Sequence, residues 1–301
     1  MFAKTNKYTT EELTAFVSEP AFDEGSAVRC DPNWPKISIV TPSFNQAVFL
    51  ERTILSVLNQ NYPNLEYIII DGGSTDGSVQ IIKKYEKYLA FWVSEPDRGQ
   101  SHAINKGFAM SRGEILAWLN SDDTYLPNTF HIVADYFRRN KKVDMVYGRC
   151  NMIDENDVIF QETKVVPFNF RDYLLGLFVI PQQSSFWRRE IFFEVNGLNE
   201  ENRACMDYEL WVRFAERGAN IKHVNCFLAN FRLYRQSISG AQKYQNEYFR
   251  ILKKTRKELL GFEEDQLRKL YRQMLLFVRH PLCLSRYYFS IIRRGRLSAS
   301  I

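Results

Sequence analysis

The sequence predicts an α/β protein with a mixed, mostly parallel β-sheet, helices on both faces and a helical extension at the C-terminal end. Two observations support this fold class. Short β-branched runs alternate with segments whose apolar residues recur at helical spacing. The strand runs are also apolar throughout, which is typical of parallel strands buried between two layers of helices.

The predicted elements follow one another from Lys36 onward. The strand KISIVT leads through the turn residues of TPSFN into a helix that carries Leu50, Ile54 and Leu58 on one face. The strand LEYIII, the polar turn DGGSTDGS and the helix VQIIKKYEKY repeat this order. The chain then continues with the strand AFWVSE, a helix from Ala103 to Met110, the strand EILAWL, a helix ending near Arg139 and the strand VDMVYG.

Three regions are predicted. Residues 1–35 mix charge, Thr, Gly and Pro and predict an irregular arm with one short helix. Residues 36–240 form the main domain; its second half contains the strands DVIFQ, SSFWR and KHVNCFLANFRL and the helix YELWVRFAERG, which predict mixed strand pairing and a lid over the first half. Residues 241–301 form a basic amphipathic helical tail.

The net charge of +5 is distributed unevenly along the 301 residues. Residues 241–301 hold 14 Lys/Arg and 5 Asp/Glu, a balance of +9, whereas the first 240 residues carry −4. An acidic main domain without a clustered basic groove predicts no nucleic-acid partner. From Leu282 the tail interleaves arginines with apolar residues, a pattern typical of helices on anionic membranes. A helical cap packed on the main domain stays open as the alternative.

Cysteine usage and the N-terminal residues predict a cytoplasmic protein. The five cysteines are widely spaced, with no CxxC pair and no metal-ligand pattern, which predicts reduced thiols. The N-terminus lacks the apolar segment of a signal peptide, and no window reaches about 18 consecutive apolar residues. Any membrane association is therefore predicted to be peripheral, through the tail, on the inner face of the plasma membrane.

The adjacent carboxylates Asp122 and Asp123 follow the apolar run ILAWL. A buried charge must be paired or must coordinate a metal. Carboxylate oxygens are the ligands that Mg²⁺ and Mn²⁺ prefer, so this pair predicts a divalent cation site. The alternative is a cap for the helix that begins near Pro127. A cap needs one Asp, and the sequence supplies two.

The loops lack the usual glycine-rich phosphate motifs. TPSFNQ contains none of the glycines of GxGxxG, and no GxxxxGK[ST] segment occurs. A bound phosphate would therefore be neutralised by a cation and by side chains such as Arg98 and Lys106. Asp71 ends the second strand, where a carboxylate can accept bonds from a nucleobase N–H or from sugar hydroxyls. An ordinary strand-to-helix turn, capped within STDGS, is the alternative.

Four motifs in this order resemble those of family 2 glycosyltransferases: IVTPSFNQ, IIIDGGSTDGS, SEPDRGQSHAINKGFAMSRGEILAWLNSDDTYLP and MDYELWVRFAERG. The resemblance covers about residues 36–240. It implies the Rossmann-like GT-A fold, a nucleotide-diphospho-sugar donor, Mg²⁺ or Mn²⁺, and inversion at the anomeric carbon. It also implies a hydroxyl acceptor on a glycan or lipid-linked glycan in surface polysaccharide biosynthesis.

The resemblance further implies a donor site. Thr41, Pro42 and Ser43 would line the nucleobase. Asp71 would bond to the base, with Asp76 and Arg98 close to the nucleotide.

The same resemblance implies the reacting centre. Asp122 would face the ribose or the donor sugar, and Asp123 would hold the metal that bridges the diphosphate. Asp207 of MDYELW matches the family's general base, with a helix cap as the alternative. Two positions depart from the family pattern: Asn120 replaces a frequent Asp, and Tyr234 replaces a frequent metal-binding His.

The predicted function is that of a metal-dependent, hexosyltransferase-type glycosyltransferase. Two alternatives stay open. A nucleotidyltransferase shares the α/β layout but usually has a Gly-rich first loop with Lys or Arg, which TPSFNQ lacks. A catalytically silent interaction protein could retain the fold, although the four candidate aspartates argue against it.

Overall fold

A computed structural model describes residues 8–23, 30–237, 241, 244–261 and 274. The described strands are β1 (Ile37–Ser43), β2 (Leu65–Asp71), β3 (Phe91–Ser94), β4 (Ile115–Trp118), β5 (Thr124–Tyr125), β6 (Met145–Ile153), β7 (Ile159–Glu162), β8 (Ser185–Arg188) and β9 (Ile221–Arg232). The described helices are α1 (Thr10–Ser18), α2 (Ala47–Leu58), α3 (Ser78–Tyr85), α4 (Gln100–Met110), α5 (Thr129–Arg139), α6 (Phe170–Leu174), α7 (Arg189–Glu194), α8 (Met206–Glu216) and α9 (Gln245–Leu260).

One sheet holds the described strands in the order β3-β2-β1-β4-β8-β6-β9-β5, with β7 paired to β6. The first four strands are parallel, as the alternating strand and helix pattern predicts. β6 and β9 run in the same direction as these four, whereas β5, β7 and β8 are antiparallel to their neighbours. The predicted fold class, a mixed and mostly parallel sheet with helices, is confirmed.

The prediction that residues 151–240 form a lid over the first half of the domain is wrong in part. β8 pairs with β4, and β6 and β9 then extend the same sheet. The predicted mixed pairing is therefore present, but these strands continue the core and do not cover it. Local sequence patterns could not show this, because strand order depends on contacts between residues far apart in the chain.

The core is continuous through both halves of the sheet. β1 is buried along its whole length, which explains its unbroken apolar pattern. Trp118, Trp187 and Trp211, from β4, β8 and α8, are fully buried and pack together with ring centroids 5.2–6.0 Å apart. This cluster joins the parallel half of the sheet to the half that carries the later strands.

Two outer segments contact this core. α1 is the predicted short helix of the arm, and Thr9 caps it by accepting from the Glu12 N–H. α9 buries Leu252, and its Arg256 Nε donates to the Leu174 carbonyl over 2.7 Å. The predicted amphipathic segment from Leu282 lies outside the described residues, and the domain boundary at residue 240 stays a prediction. No helix in the described part of the chain is long and apolar enough to cross a bilayer.

Candidate functional site

The candidate site lies at the carboxyl edge of β2, β1 and β4, which are neighbours in the sheet. Ser43, the last residue of β1, is in register with Asp71, the last residue of β2. The loop with Asp122 and Asp123 leaves β4 at the same edge. The parallel order therefore brings together the three loops that the sequence singled out, where α/β proteins bind ligands.

Asp71 organises the turn after β2. Its carboxylate accepts from the backbone N–H of Gly73 and Ser74 over 3.1 and 2.8 Å, and from the hydroxyls of Ser74 and Ser94 over 2.5 and 2.7 Å. The predicted strand-to-helix turn is therefore present, although the N-cap of α3 is Gly77 and not Ser74, Thr75 or Asp76. Since one carboxylate oxygen carries only the Ser74 hydroxyl bond, it keeps the capacity to accept from a ligand.

The three β1 residues predicted to line the base differ in their surroundings. Thr41 is fully buried, and its hydroxyl pairs with Tyr67 at 3.1 Å. Pro42 is buried within the strand. Ser43 is 3 % exposed, and its hydroxyl has no hydrogen-bond partner among the described residues. Ser43 is thus the member of this trio with unused bonding capacity at the site edge.

Asp76 joins the first two loops. One of its oxygens accepts from the N–H of Ala47, the first residue of α2, over 2.8 Å. The other accepts from the N–H and hydroxyl of Ser78, the first residue of α3, over 3.0 and 2.6 Å. Burial, the largest influence, opposes ionisation, but the bonds from Ser78 and Ala47 outweigh it and lower the pKa of Asp76.

The two basic side chains predicted to bind phosphate both have carboxylate partners. Arg98 donates through Nε and one terminal nitrogen to Glu200, at 3.0 and 2.7 Å. Lys106 is paired with Glu95. Both pairs are partly exposed, so they are weakly held and a phosphate group could displace the carboxylates.

Asp123 is enclosed by protein. It is fully buried, and one oxygen accepts from the Arg232 backbone N–H over 2.8 Å. The other oxygen accepts from the side-chain amides of Gln183 and Asn120 over 3.0 and 3.2 Å. Burial, followed by the charge of Asp122, raises the pKa of Asp123 well above 3.8.

Asp122 is only partly buried. Its carboxylate interacts with the hydroxyl of Tyr234, which lies within 3.3–3.4 Å of the Gln46 amide group. Burial raises the pKa of Asp122 despite bonds from its own backbone and from Tyr234. Burial also raises the pKa of Tyr234 to about 12, which keeps the phenol neutral and able to donate. Asp122 is therefore the more exposed member of the acidic pair.

Arg232 is the cationic neighbour that the sequence analysis missed. This fully buried side chain donates to the Asp122 carbonyl over 2.8 Å and pairs with Asp157, which also contacts Arg52 at 2.9 Å. Two guanidinium groups thus face three carboxylates, those of Asp122, Asp123 and Asp157. When all are ionised, this network has one negative charge in excess.

The residues around Asp122 fit a cation that is shared with a ligand. No three His, Cys, Asp or Glu side chains converge as a ligand set in the part of the chain that is described. Mg²⁺ that accompanies phosphates needs only one or two protein carboxylates, because water and phosphate oxygens complete its shell. One accessible carboxylate and one excess negative charge meet that requirement.

His223, the histidine of strand β9, lies away from the site. It pairs with Tyr147 near the start of β9, whereas Arg232 ends that strand at the site. Nine residues of extended chain separate the two by roughly 30 Å. His223 is therefore too distant to bind a cation at Asp122.

Asp207 is the second residue of α8, a helix whose N-terminus is tied to the loops of the site. Gln100 donates to Asn120 over 2.6 Å, and the next residue, Ser101, contacts the Met206 sulfur at 2.9 Å. Burial raises the pKa of Asp207, although the N–H groups of Tyr208 and of Asp207 itself favour the ionised form. A partly exposed carboxylate with a raised pKa suits a general base.

Several further site residues were not predicted. Gln183 and Gln100 lie in ordinary polar segments and gave no signal. Arg232 did give one, because it is a charged residue directly after the largely apolar run CFLANF. Phe44 is 60 % exposed beside the turn after β2, where a Cβ on Gly72 would lie 3.3 Å from the Phe44 ring and 2.9 Å from Asp97 Oδ2.

Two curated bacterial glycosyltransferases are similar to this chain. An uncharacterized glycosyltransferase of Mycobacterium tuberculosis (strain ATCC 25618 / H37Rv) is 32 % identical over 183 residues, which cover 60 % of this chain and 69 % of that protein. TuaG of Bacillus subtilis (strain 168), a putative teichuronic acid biosynthesis glycosyltransferase, is 28 % identical over 212 residues, 69 % of this chain and 83 % of TuaG.

Two solved structures share the fold. S. aureus TarS 1-349 in complex with UDP-GlcNAc superposes with a TM-score of 0.60 at 18 % identity, over 81 % of this chain and 72 % of that one. The mannosyltransferase PcManGT from Pyrobaculum calidifontis, in complex with GDP-Man and Mn²⁺, gives 0.58 at 15 % identity, over 95 % and 81 %. These likenesses confirm the predicted GT-A fold.

The model of glycosyl transferase family 2 matches residues 38–197, more than half of the chain, although Asp207 lies beyond this match. The matched residues contain β1, β2 and β4 with the loops that form the candidate site. Together with the shared fold and the acidic pair at the sheet edge, this match identifies the chain as a member of glycosyl transferase family 2.

Proposed function

We propose that this protein is an inverting glycosyltransferase that moves a hexose-type sugar from a nucleotide-diphospho-sugar to a hydroxyl group of a glycan or lipid-linked glycan. Family membership supports glycosyl transfer over the nucleotidyltransferase alternative. The single observation that carries the proposal is the excess carboxylate at Asp122 and Asp123, located where β1 and β2 also end. Carboxylates are the ligands that a divalent cation prefers, and such a cation also neutralises charge on the diphosphate of the donor.

The donor half of the site offers groups for a nucleoside. The unpartnered Ser43 hydroxyl and the less occupied oxygen of Asp71 lie on adjacent strand ends. The exposed ring of Phe44 can stack on a nucleobase. Such stacking is possible with any base, because every base has a π-face. Arg98 and Lys106 can exchange their carboxylate partners for phosphate oxygens, whereas Thr41, Pro42 and Asp76 support the strand and loops around them.

Asp122 would hold Mg²⁺ or Mn²⁺. Asp123, through its hydrogen bonds to Arg232, Gln183 and Asn120, would position the loop that carries Asp122. The burial of Asp123 favours this division over the predicted one, in which Asp123 was the principal ligand. When bound, the cation neutralises negative charge on the diphosphate leaving group. The Mn²⁺ that accompanies GDP-Man in the PcManGT complex supports this assignment by analogy.

Asp207 would act as the general base. The acceptor oxygen forms a bond to the anomeric carbon, the bond from that carbon to the diphosphate oxygen breaks, and the diphosphate leaves with the electron pair. The acceptor proton passes to the Asp207 carboxylate. Attack opposite the leaving group gives inversion. General-base assistance of this kind contributes roughly 10²- to 10⁴-fold in rate.

A glycan acceptor is supported by similarity to TuaG, a putative glycosyltransferase of teichuronic acid biosynthesis. We also propose a cytoplasmic location, with peripheral contact to anionic lipid through the basic tail.

Incubation with a panel of nucleoside-diphospho-sugars, with Mg²⁺, with Mn²⁺ and with chelator, tests the function. We expect calorimetric binding of at least one donor and cation-dependent release of nucleoside diphosphate. If the folded protein binds no donor from the panel, the proposal is overturned in favour of a catalytically silent protein.

A further inference from the structure

Three helices meet beside Asp207. α6 packs against both α8 and α9. Arg256 of α9 donates to the carbonyl of Leu174 at the end of α6, and Leu252 is the buried apolar contact of α9. α9 is thus held against the face of the domain where α8 presents Asp207.

Each of the three helices contributes a tyrosine to this region: Tyr173 of α6, Tyr208 of α8 and Tyr248 of α9. The rings of Tyr173 and Tyr208 lie 5.3 Å apart. Burial and then the negative charge of Asp207 raise the pKa of Tyr173 and of Tyr248. Both phenols therefore lie within electrostatic reach of Asp207, and Tyr248 reaches it from a helix that lies outside residues 38–197 of the family match.

Two features of this region leave bonding capacity and apolar surface available to a ligand. Tyr208 is only 7 % exposed, yet its buried hydroxyl has no hydrogen-bond partner among the residues that are described. Tyr248 and Phe249 are 37 % and 57 % exposed, with ring centroids 5.5 Å apart. A buried phenol without a partner and an aromatic pair exposed among the described residues both carry a free-energy cost, and a ligand beside them would reduce it.

We infer that α9 forms the acceptor wall of the site and that Tyr248 is an acceptor-binding residue, with its ring packed against a sugar of the acceptor. This inference rests on the proposed function. A general base must lie within about 3 Å of the hydroxyl whose proton it takes, so the acceptor occupies the region beside Asp207, where the charge of Asp207 also reaches Tyr248.

The chemistry of this wall favours a sugar ring. A pyranose presents C–H groups on its faces and hydroxyls on its rim, and a tyrosine matches both with its apolar ring and its hydroxyl. The segment 241–301, predicted from sequence as a separate tail, thereby contributes to substrate binding through its described helix α9.

The test uses the full chain with a donor identified from the panel and p-nitrophenyl hexosides as acceptor probes. Tyr248→Ala is expected to raise the acceptor KM about tenfold. Tyr248→Phe, which keeps the ring, is expected to change it less than about threefold. The donor KM, the release of nucleoside diphosphate without acceptor, and Tm should match the wild type.

Leu259→Ala is the matched control, because Leu259 is 38 % exposed at the other end of α9. It should leave both KM values unchanged. An unchanged acceptor KM in Tyr248→Ala, or an equal rise in donor and acceptor KM, contradicts the inference. A wild-type protein that hydrolyses donor but glycosylates none of the hexosides argues for a lipid surface at this wall and also overturns it. These outcomes are distinguishable from failure of the proposed function, because in that case the protein would bind no donor.

Discussion

The carboxylate of Asp123 accepts a 2.8 Å hydrogen bond from the backbone N–H of Arg232. This bond joins the loop after β4 to the end of β9, 109 residues later in the chain. The side chain of Arg232 donates a second hydrogen bond to this loop, at the carbonyl of Asp122. The position of the acidic pair is therefore fixed by the second half of the sheet.

Asp123→Ala should destabilise the fold. It removes a buried carboxylate that accepts three hydrogen bonds and leaves the amides of Gln183 and Asn120 unsatisfied. We expect the free energy of unfolding to fall by about 3 kcal/mol, measured by urea denaturation. Asp135→Ala, which breaks an exposed pair with Arg139, should cost less than about 1 kcal/mol. Equal losses in both variants would refute the structural role of Asp123.

Asp122→Asn should separate cation binding from folding. The variant keeps the shape of a partly exposed side chain, so Tm should stay close to the wild-type value. Titration calorimetry of UDP or GDP with Mn²⁺ should show at least about tenfold weaker binding, since the cation loses its charged protein ligand. The same nucleotide without Mn²⁺ is the control and should bind both proteins alike. Unaltered Mn²⁺-dependent affinity would show that Asp122 is not the ligand.

Asp207→Asn should abolish transfer while donor binding remains. The amide cannot take the acceptor proton, so kcat is expected to fall roughly 10²- to 10⁴-fold. Donor affinity, followed by calorimetry, should be unaltered because the donor groups lie on other elements. Normal transfer by this variant would assign the base to another residue.

The pH dependence of kcat/KM should reflect the raised pKa of Asp207. A base works when deprotonated, so the rate should fall as pH drops through a pKa above the ordinary 3.8. Between 3.8 and that raised pKa the folded state binds more protons, so stability falls as pH rises. Asp207→Asn should reduce this stability slope in denaturation measured from pH 4 upward, while the contributions of Asp122 and Asp123, whose pKa values are also raised, remain. This readout is independent of activity. An acid limb at or below 3.8 would contradict the raised pKa.

Deletion of residues 280–301 should weaken membrane association. These residues carry Arg286, Arg293, Arg294 and Arg296 and no acidic residue. Each basic side chain near an anionic surface contributes about 1 kcal/mol, so cosedimentation with phosphatidylserine vesicles should drop sharply. Neutral phosphatidylcholine vesicles are the control. Equal sedimentation of both proteins with anionic vesicles would reject a lipid-binding tail.

The sequence by itself determined the alternating elements, the parallel first half of the sheet and the three loops at its edge. These features follow from local periodicity and turn residues, and parallel strands connected by helices must all end at one edge. Asp71, Asp122 and Asp123 were recognisable because they lie in the loops after apolar strands, whereas Asp207 was recognisable through the family resemblance.

Only the tertiary structure decided how these aspartates differ. Asp123 is enclosed because Gln183 and Arg232 reach it from 60 and 109 residues away, whereas Asp122, beside the hydroxyl of Tyr234, stays partly exposed. The packing of α9 on α6 brings Tyr248 within electrostatic reach of Asp207. These long-range contacts determine the burial and charge pairing of each aspartate. The contacts cannot be inferred from the periodicity of residues along the chain.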